Sequence, residues 1–447
     1  MAEKLFGTDG IRGVANTYPL TIDFCSKLAI ILSQNICTKQ KKVAIARDTR
    51  ISSPMLFNAL SAGFTSQGID VIDLDVIPTP LCTTLTPNLN VDMSIMITAS
   101  HNPYKDNGLK LITSTGDKFS DEQTALIEKL ISENQNTIYN TEKIGNVIKI
   151  TEGLPHYLSI TKKITGTQNL KGLKIAIDSA NGSFSYILPQ VFTNLEANVI
   201  SLSTQPNGYN INENCGSQHT EMLCETVIKN NCDLGIAVDG DGDRIIICDE
   251  QGNRINGDQI IAYLATYLKQ HNMLKGNAVV STIFSNLGLG KYIKSLNIDY
   301  YASPVGERYV IEKMREVGSN VGGEESGHMV LSDYSLTGDA LITALIVSLG
   351  IKESNKKVSE IFPIFTPFPN KTLNLRYENK DIINKILENE EIKKCISEVS
   401  ESLEERGSLI IRKSGTEPVI RLKIEAETPE DVSQISEKLL NCFNKFS

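Results

Sequence analysis

The sequence predicts an α/β fold built from several domains, and three observations carry that reading. Val- and Ile-rich runs at 42–48, 69–74, 93–98, 173–178, 234–239 and 277–282 alternate with helix-like segments, the pattern of largely parallel strands buried on both faces. Several of these runs end in polar or glycine-containing clusters, ARDTR, TASHNP, DSANG and DGDGDR. Open α/β sheets bind ligands at such carboxyl ends of strands. Finally, 447 residues are too many for one compact core, so about three domains of ordinary size and several cores are expected.

Along the chain, the polar stretch 133–146 (ENQNTIYNTEKIGN) reads as a first boundary. A second falls after the 239–257 region, and Thr366-Pro367-Phe368-Pro369-Asn370 reads as the last. The expected units are therefore 1–150, 151–255, 256–368 and 369–447. The tail holds strand-like segments at 373–377, 409–412 and 419–424, then Thr428 as an N-cap with Pro429 at N1, opening a final amphipathic helix. It reads as a small α+β domain. No low-complexity tract or short tandem repeat is visible, and the three α/β stretches before the tail are of similar size with weak mutual similarity.

With 40% apolar, 22% charged and 6% aromatic residues, disordered and fibrous classes are excluded. Subtracting 53 acidic from 44 basic residues leaves −9, which argues against a nucleic-acid partner, because counterion release needs a dense basic surface. An anionic small molecule would need local basic pockets. The nine cysteines include no CxxC pair and no His at zinc-site spacing, and read as reduced core or near-core thiols. The opening MAEKLFGTDG lacks a basic segment followed by an apolar stretch, and no apolar run approaches the ~18 residues of a membrane span. The expected location is cytoplasmic, with no membrane partner.

Asp239-Gly240-Asp241-Gly242-Asp243-Arg244 follows the apolar run 234–238. Three carboxylates two residues apart, separated by glycines that permit tight turning, can converge on one hard cation; a solvated acidic turn is the competing reading. An EF-hand is excluded, because Arg244 stands where that loop needs Gly and Ile245-Ile246-Ile247 follows. Thr98-Ala99-Ser100-His101-Asn102-Pro103 puts Ser100 where a strand ends, a good place to present a hydroxyl; a capped turn suits the same residues equally. Acyl transfer is disfavoured because no GxSxG elbow surrounds any serine.

Gly322-Gly323-Glu324-Glu325-Ser326-Gly327-His328 gathers acceptors, a hydroxyl and an imidazole on one short loop, chemistry suited to sugar hydroxyls. His328 is a candidate proton acceptor or an ordinary loop histidine. Arg412-Lys413-Ser414-Gly415-Thr416-Glu417-Pro418, with Arg421 beyond it, offers guanidinium groups, hydroxyls and freed backbone N–H groups: a phosphate cradle, or a basic turn between strands. Gly290-Lys291 is a decoy for a nucleotide P-loop, since Ser285 occupies the first Gly position and Tyr292 replaces Ser or Thr.

Taken in order, Phe6-Gly7-Thr8-Asp9-Gly10-Ile11-Arg12-Gly13, TASHNP, DGDGDR, GGEESGH and RKSGTEP resemble the α-D-phosphohexomutase family, and the resemblance covers essentially the whole chain. It implies three related α/β domains and a smaller C-terminal one around a central active-site cleft. It implies that Ser100 is the phosphoserine and that Mg²⁺ is held by its phosphate with Asp239, Asp241 and Asp243. Arg244 then helps fix the transferring phosphoryl group, and Arg12, His101 and Lys110 line the reactive serine. Glu324, Ser326 and His328 match the family's sugar-contacting loop, while Arg412, Ser414, Gly415, Thr416 and Arg421 match its loop for the non-transferring phosphate. His328 and Lys110 are the implied proton-transfer candidates.

The implied cycle passes through a 1,6-bisphosphate that also serves as activator. The opening FGTDGIRGVANTYPLT, the stretch 210–217 and Val305-Gly306-Glu307-Arg308-Tyr309-Val310 resemble the branch acting on glucosamine phosphates, whose hexosamine 1,6-bisphosphate is the intermediate and whose product feeds UDP-N-acetylglucosamine synthesis. Glu307 departs from that branch's usual Asp, and Leu336-Thr337-Gly338-Asp339-Ala340 from its usual TTGDG. Rival readings are a phosphoglucomutase or phosphomannomutase of the same fold, and a non-catalytic sugar-phosphate binding protein. The intact Ser100 and Asp triad argue against the last, because binding alone needs neither. The expected partner is a small phosphosugar, and a homodimer stays open.

Overall fold

The computed structural model describes residues 5–7, 9–133, 142–151, 153–403, 406–413 and 418–446. The six apolar runs become the strands Lys42–Arg47, Asp70–Val76, Met93–Ile97, Lys174–Asp178, Leu234–Val238 and Ala278–Thr282. They fall into three sheets, and a fourth, three-stranded sheet lies in the tail.

Each of the first three sheets is a parallel set extended by antiparallel strands, so the expectation of largely parallel strands holds only for the inner part. In the first, Lys42–Arg47 pairs in parallel with Asp70–Val76 and Met93–Ile97, while Met93–Ile97 pairs antiparallel with Asp106–Thr113. In the second, Lys174–Asp178 pairs in parallel with Asn198–Leu202 and Leu234–Val238, which then pairs antiparallel with Ile245–Asp249. In the third, Ala278–Thr282 pairs in parallel with Asp299–Ser303 and Val321–Gly323, which pairs antiparallel with Met329–Leu331. The strands that return antiparallel follow polar loops, and apolar content alone did not reveal their direction.

This repeat positions the chemistry. The three motif loops, TASHNP, DGDGDR and EESGH, occupy one topological place in their sheets, the connection from a buried parallel strand to its antiparallel neighbour. In the tail, Gly407–Lys413 and Val419–Ala426 form an antiparallel pair with Lys413 opposite Ile420. Residues 414–417 of the RKSGTEP motif lie between them, outside the described residues. Thr428 caps the last helix, Pro429–Phe443, its side chain accepting from the Asp431 N–H at 3.1 Å.

The expectation of several cores holds, but they do not divide one per sheet. One face of the first sheet, through Val43, Ile45 and Ile95, packs on Phe24, Leu28, Leu56 and Leu60. Its other face, through Ala44, Ala46, Ile72 and Leu74, joins one continuous apolar cluster with Ile177 and Ile236 of the second sheet and Val279 and Val321 of the third. At its centre lies the helix Ala340–Ser354, apolar all round and buried along most of its length, as a helix surrounded by protein must be. The tail shares none of this cluster and has its own core, built around Ile420, Leu422, Leu439 and Phe443.

Candidate active site

The loop after Met93–Ile97 holds Ser100 at φ 54°, a left-handed conformation that a residue with a Cβ adopts only when its surroundings impose it. Those surroundings are visible. Arg50 donates from Nη2 to the Ser100 carbonyl at 3.0 Å and the Asn102 carbonyl at 2.8 Å, and from Nη1 to the carbonyls of Pro103 and Asp106. Asn212, from the second domain, donates to the same Ser100 and Asn102 carbonyls at 2.9 and 3.0 Å. Arg50 is itself fixed by Asp48 at 2.8 Å, with both side chains fully buried, and Asp48 also accepts from Thr98 Oγ1 at 2.7 Å.

The serine so placed points its hydroxyl at the second domain, donating from Oγ to Asp239 Oδ2 at 2.7 Å; His101 Nδ1 lies 3.4 Å away. Asp239, Asp241 and Asp243 are all buried, each offering an oxygen within 4.8 Å of the others. Burial and the like charges of Asp243 and Asp241 push the Asp239 carboxyl well above its ordinary range. Lys110 reaches in from Asp106–Thr113, at 2.7 Å from Asp241 Oδ2 and 2.9 Å from Asp243 Oδ2. Burial opposes its charge, but Asp241, Asp243 and Asp9 hold it well above the usual lysine value. Thr79 donates to Asp241 Oδ2 at 2.5 Å.

Two buried oxygens of the triad, Asp241 Oδ1 and Asp243 Oδ1, have no hydrogen-bond partner among the described residues. An all-oxygen donor set with orphaned acceptors fits a hard divalent cation. The complementary deficit stands next to it: Arg12 Nε and Arg244 Nε are buried donors without a hydrogen-bond partner among the described residues. Both arginines bear on His101, which burial and then Arg244 and Arg12 push down to about 4. Unsatisfied cationic donors beside a serine hydroxyl suit an anion such as a phosphoryl group.

His328 enters from the third domain, where it bridges in antiparallel fashion to Arg244. Its Nε2 lies 2.7 Å from Glu307 Oε1 and its Nδ1 3.9 Å from Asp243 Oδ1. Burial works against its charge, yet Glu307 and Asp243 outweigh it and raise the imidazole to about 9. Glu307 also accepts from the Gly338 N–H at 2.7 Å and from the Thr337 hydroxyl, and it pairs with Lys118. Lys118 in turn meets Asp9 at 2.5 Å, and Asp9 pairs with Arg12 at 2.6 Å. A continuous chain of charges thus links the first, second and third domains.

Of the residues singled out in the sequence, Ser100, His101, Lys110, Arg12, Arg244, His328 and the three aspartates come together. Glu324 lies beside them, its Oε1 accepting from the Gly306 N–H at 3.1 Å, while Ser326 is exposed on the same loop. Arg412 and Arg421 face each other as cross-strand partners and are exposed; among the described residues they contact neither the serine nor the aspartates. Ser414, Gly415 and Thr416 lie outside the described residues. Sequence reading assigned no role to Asp9, Asp48, Arg50, Thr79, Lys118, Asn212 or Glu307. ARDTR ending a strand was the only signal for Asp48 and Arg50; Asp9, Asn212 and Glu307 sat in quoted motifs without a role, and Thr79 and Lys118 carried none.

Residues 3–138, 155–252 and 256–368 match the phosphoglucomutase/phosphomannomutase alpha/beta/alpha domains I, II and III, and residues 373–441 match its C-terminal domain. The chain belongs to this family, the phosphohexomutases. Among its relatives, a phosphoglucosamine mutase of Zymomonas mobilis is 42% identical over 438 residues, covering 97% of each chain. One from Caldicellulosiruptor saccharolyticus is 44% identical over 445 residues, covering 98% of each. In fold, the chain is similar to a phosphoglucomutase/phosphomannomutase family protein from Burkholderia thailandensis, with TM-score 0.81 and 21% identity over 100% of this chain and 98% of that one. An Aspergillus fumigatus N-acetylphosphoglucosamine mutase, solved with GlcNAc-6P and magnesium, has TM-score 0.66 and 15% identity over 99% and 96%.

Proposed function

We propose that this chain interconverts glucosamine 6-phosphate and glucosamine 1-phosphate through a phosphorylated Ser100. The observation that carries the reading is the Ser100 hydroxyl 2.7 Å from Asp239, inside a buried carboxylate group whose free oxygens lack partners and beside arginine donors that lack them too. The glucosamine preference is supported by relatives of that name at 42–44% identity over nearly the full chain.

In the cycle, the phosphoryl group on Ser100 passes to the free hydroxyl of a hexosamine monophosphate: the P–Oγ bond breaks, a P–O bond to the sugar forms, and the hydroxyl proton leaves to a neighbouring base. The 1,6-bisphosphate turns over and returns its other phosphate to Ser100, releasing the isomeric monophosphate. A hexosamine 1,6-bisphosphate primes the serine when it lacks phosphate. Asp239, Asp241 and Asp243, with the serine phosphate, would hold Mg²⁺, which when bound neutralises charge on the phosphoryl oxygens.

Arg244, Arg12 and His101 face the transferring phosphoryl group, and Lys110 and His328 are the proton-transfer candidates. Glu324, Ser326 and His328 orient the sugar, and Arg412, Ser414, Gly415, Thr416 and Arg421 hold the phosphate that stays. Units 1–150, 151–255, 256–368 and 369–447 each contribute one of these four loops to the cleft. The nine free cysteines support a reducing, cytoplasmic setting.

The test is ³¹P NMR of glucosamine, glucose and mannose 1-phosphates with Mg²⁺ and a bisphosphate activator under identical conditions. Preferential formation of glucosamine 6-phosphate is expected. Preference for glucose or mannose would place the chain among mutases for those sugars, and no conversion of any would overturn the enzymatic reading.

A further inference from the structure

The structure assigns this chain a second reactive site, apart from the Ser100 cleft: we infer that Cys224 and Cys248 form a dithiol that hydrogen peroxide closes to an intramolecular disulfide and that thiols reopen. Cys224 lies on the helix Glu221–Asn230 and Cys248 on the strand Ile245–Asp249, with their sulfurs 2.9 Å apart. A disulfide needs ~2.05 Å, so closure requires an approach of about 0.9 Å, within reach of rotamer adjustment and a small helix shift. The floor beneath the pair is built for crowding. Gly235 underlies Cys248, and a Cβ there would stand only 3.1 Å from the Cys248 Cβ.

The two thiols differ in the way a two-step oxidation requires. Cys248 is fully buried, whereas Cys224 is partly exposed and open to a small oxidant. Cys224 sits in the first turn of its helix, its N–H bonded to the Thr220 carbonyl at 2.9 Å, where the helix dipole favours a thiolate. Hydrogen bonding from Cys248 lowers the Cys224 thiol to about 7 against burial, with Thr220 adding and Glu221 and Asp249 opposing. Cys25 and Cys82, by contrast, are pushed up to about 12 by burial. Cys248 lies at the end of its strand away from the carboxylate loop, since Val238 pairs with Ile245 at the loop end and Gly235 with Cys248. The pair is therefore not part of the phosphoryl-transfer machinery.

The chemistry balances. The Cys224 thiolate attacks one peroxide oxygen, the O–O bond breaks, and hydroxide leaves to take a proton, giving a sulfenic acid on Cys224. The Cys248 sulfur then attacks the Cys224 sulfur, the S–O bond breaks, and a second water departs with the Cys248 proton. Two thiols and one peroxide become one disulfide and two waters.

The test treats the intact protein with hydrogen peroxide, alkylates the remaining thiols and maps the peptides by mass spectrometry. The expected product is a Cys224–Cys248 cross-linked peptide pair two hydrogens lighter than its parts, with the other seven of the nine cysteines alkylated and the link lost on dithiothreitol treatment. In Cys248→Ser, dimedone should trap a sulfenic acid on Cys224. Cys224→Ser, which alters a partly exposed position, should abolish thiol loss at Cys248. Oxidation of Cys224 to sulfinic acid without a link in the wild type, or undiminished oxidation of Cys248 in Cys224→Ser, would overturn the assignment.

Discussion

Ser100 holds a backbone conformation that costs a non-glycine residue on the order of 1 kcal/mol or more, and the hydrogen bonds of Arg50 and Asn212 to its carbonyl keep it there. Replacing Ser100 by Ala removes the phosphorylated atom but not this clamp. Turnover should fall by on the order of 10⁴ or more, with no radiolabel retained from a labelled bisphosphate, while the thermal midpoint stays close to wild type. Arg50→Met attacks the clamp instead. It strands the fully buried Asp48 carboxylate, a loss of about 3–5 kcal/mol, visible as a lower urea midpoint together with reduced turnover. The three aspartates were legible in the sequence because their spacing suits a shared cation, and Ser100 was singled out by its place at a strand end and by the family resemblance. Arg50, Asn212 and Glu307 were not, because each meets its partners only through contacts far apart in the chain: Arg50 to Ser100 spans 50 positions and Asn212 to Ser100 spans 112.

At the scale of elements, the loops TASHNP, DGDGDR and EESGH each join a buried parallel strand to an antiparallel one, and short approaches between loops set their shape. Gly182 of DSANG lies against Gly240 of the carboxylate loop, where Ser183 also donates to the Gly240 carbonyl at 2.8 Å. A methyl at Gly182 would overlap that carbonyl, so Gly182→Ala should weaken divalent-cation binding about 10–100-fold, as loss of support around a ligand loop does, read by calorimetric titration. Asp339 caps the central helix Ala340–Ser354, accepting from the Ile342 N–H at 3.0 Å, and also receives the Tyr157 hydroxyl at 3.0 Å. Burial raises its carboxyl to about 7, above its unfolded value of ~3.9, so the folded state binds the extra proton. Its contribution is full below the unfolded value and is lost as pH rises through the folded one. Stability to urea should therefore decline between about pH 4 and 7, and Asp339→Asn should flatten that decline.

Across the whole molecule, three sheets share one apolar cluster while the tail has its own, so the tail is joined mainly by polar contacts and the 366–370 segment. Lys423 and Glu425 of the tail carry much of the joint. Glu425 pairs with Lys423 at 3.0 Å and accepts from the Leu287 N–H at 3.1 Å, and Lys423 reaches Glu325 of the sugar-loop motif at 3.3 Å. In the function proposed above, Arg421 belongs to the loop that holds the phosphate that stays. Arg421→Ala should accordingly raise KM about tenfold or more, with a smaller effect on kcat, since the interaction is made equally with both substrate phosphates. Removing divalent cations with a chelator should abolish turnover and Mg²⁺ should restore it, because the charge on the transferring phosphoryl oxygens is otherwise left without the cation the triad would hold.

The sequence by itself determined the α/β class, the positions of six strands, the N-cap of the last helix and the carboxylate spacing of the DGDGDR loop. These are local properties, written in periodicity, glycine placement and spacing over a few residues. Only the tertiary structure decided that one apolar cluster runs through three sheets, that the sheets end in antiparallel strands, and that Glu307 rather than solvent faces His328. It alone brought Cys224 to Cys248 and Asp239 to Ser100. Such contacts join residues tens to hundreds of positions apart, and no local pattern records which distant side chain will neutralise a buried charge.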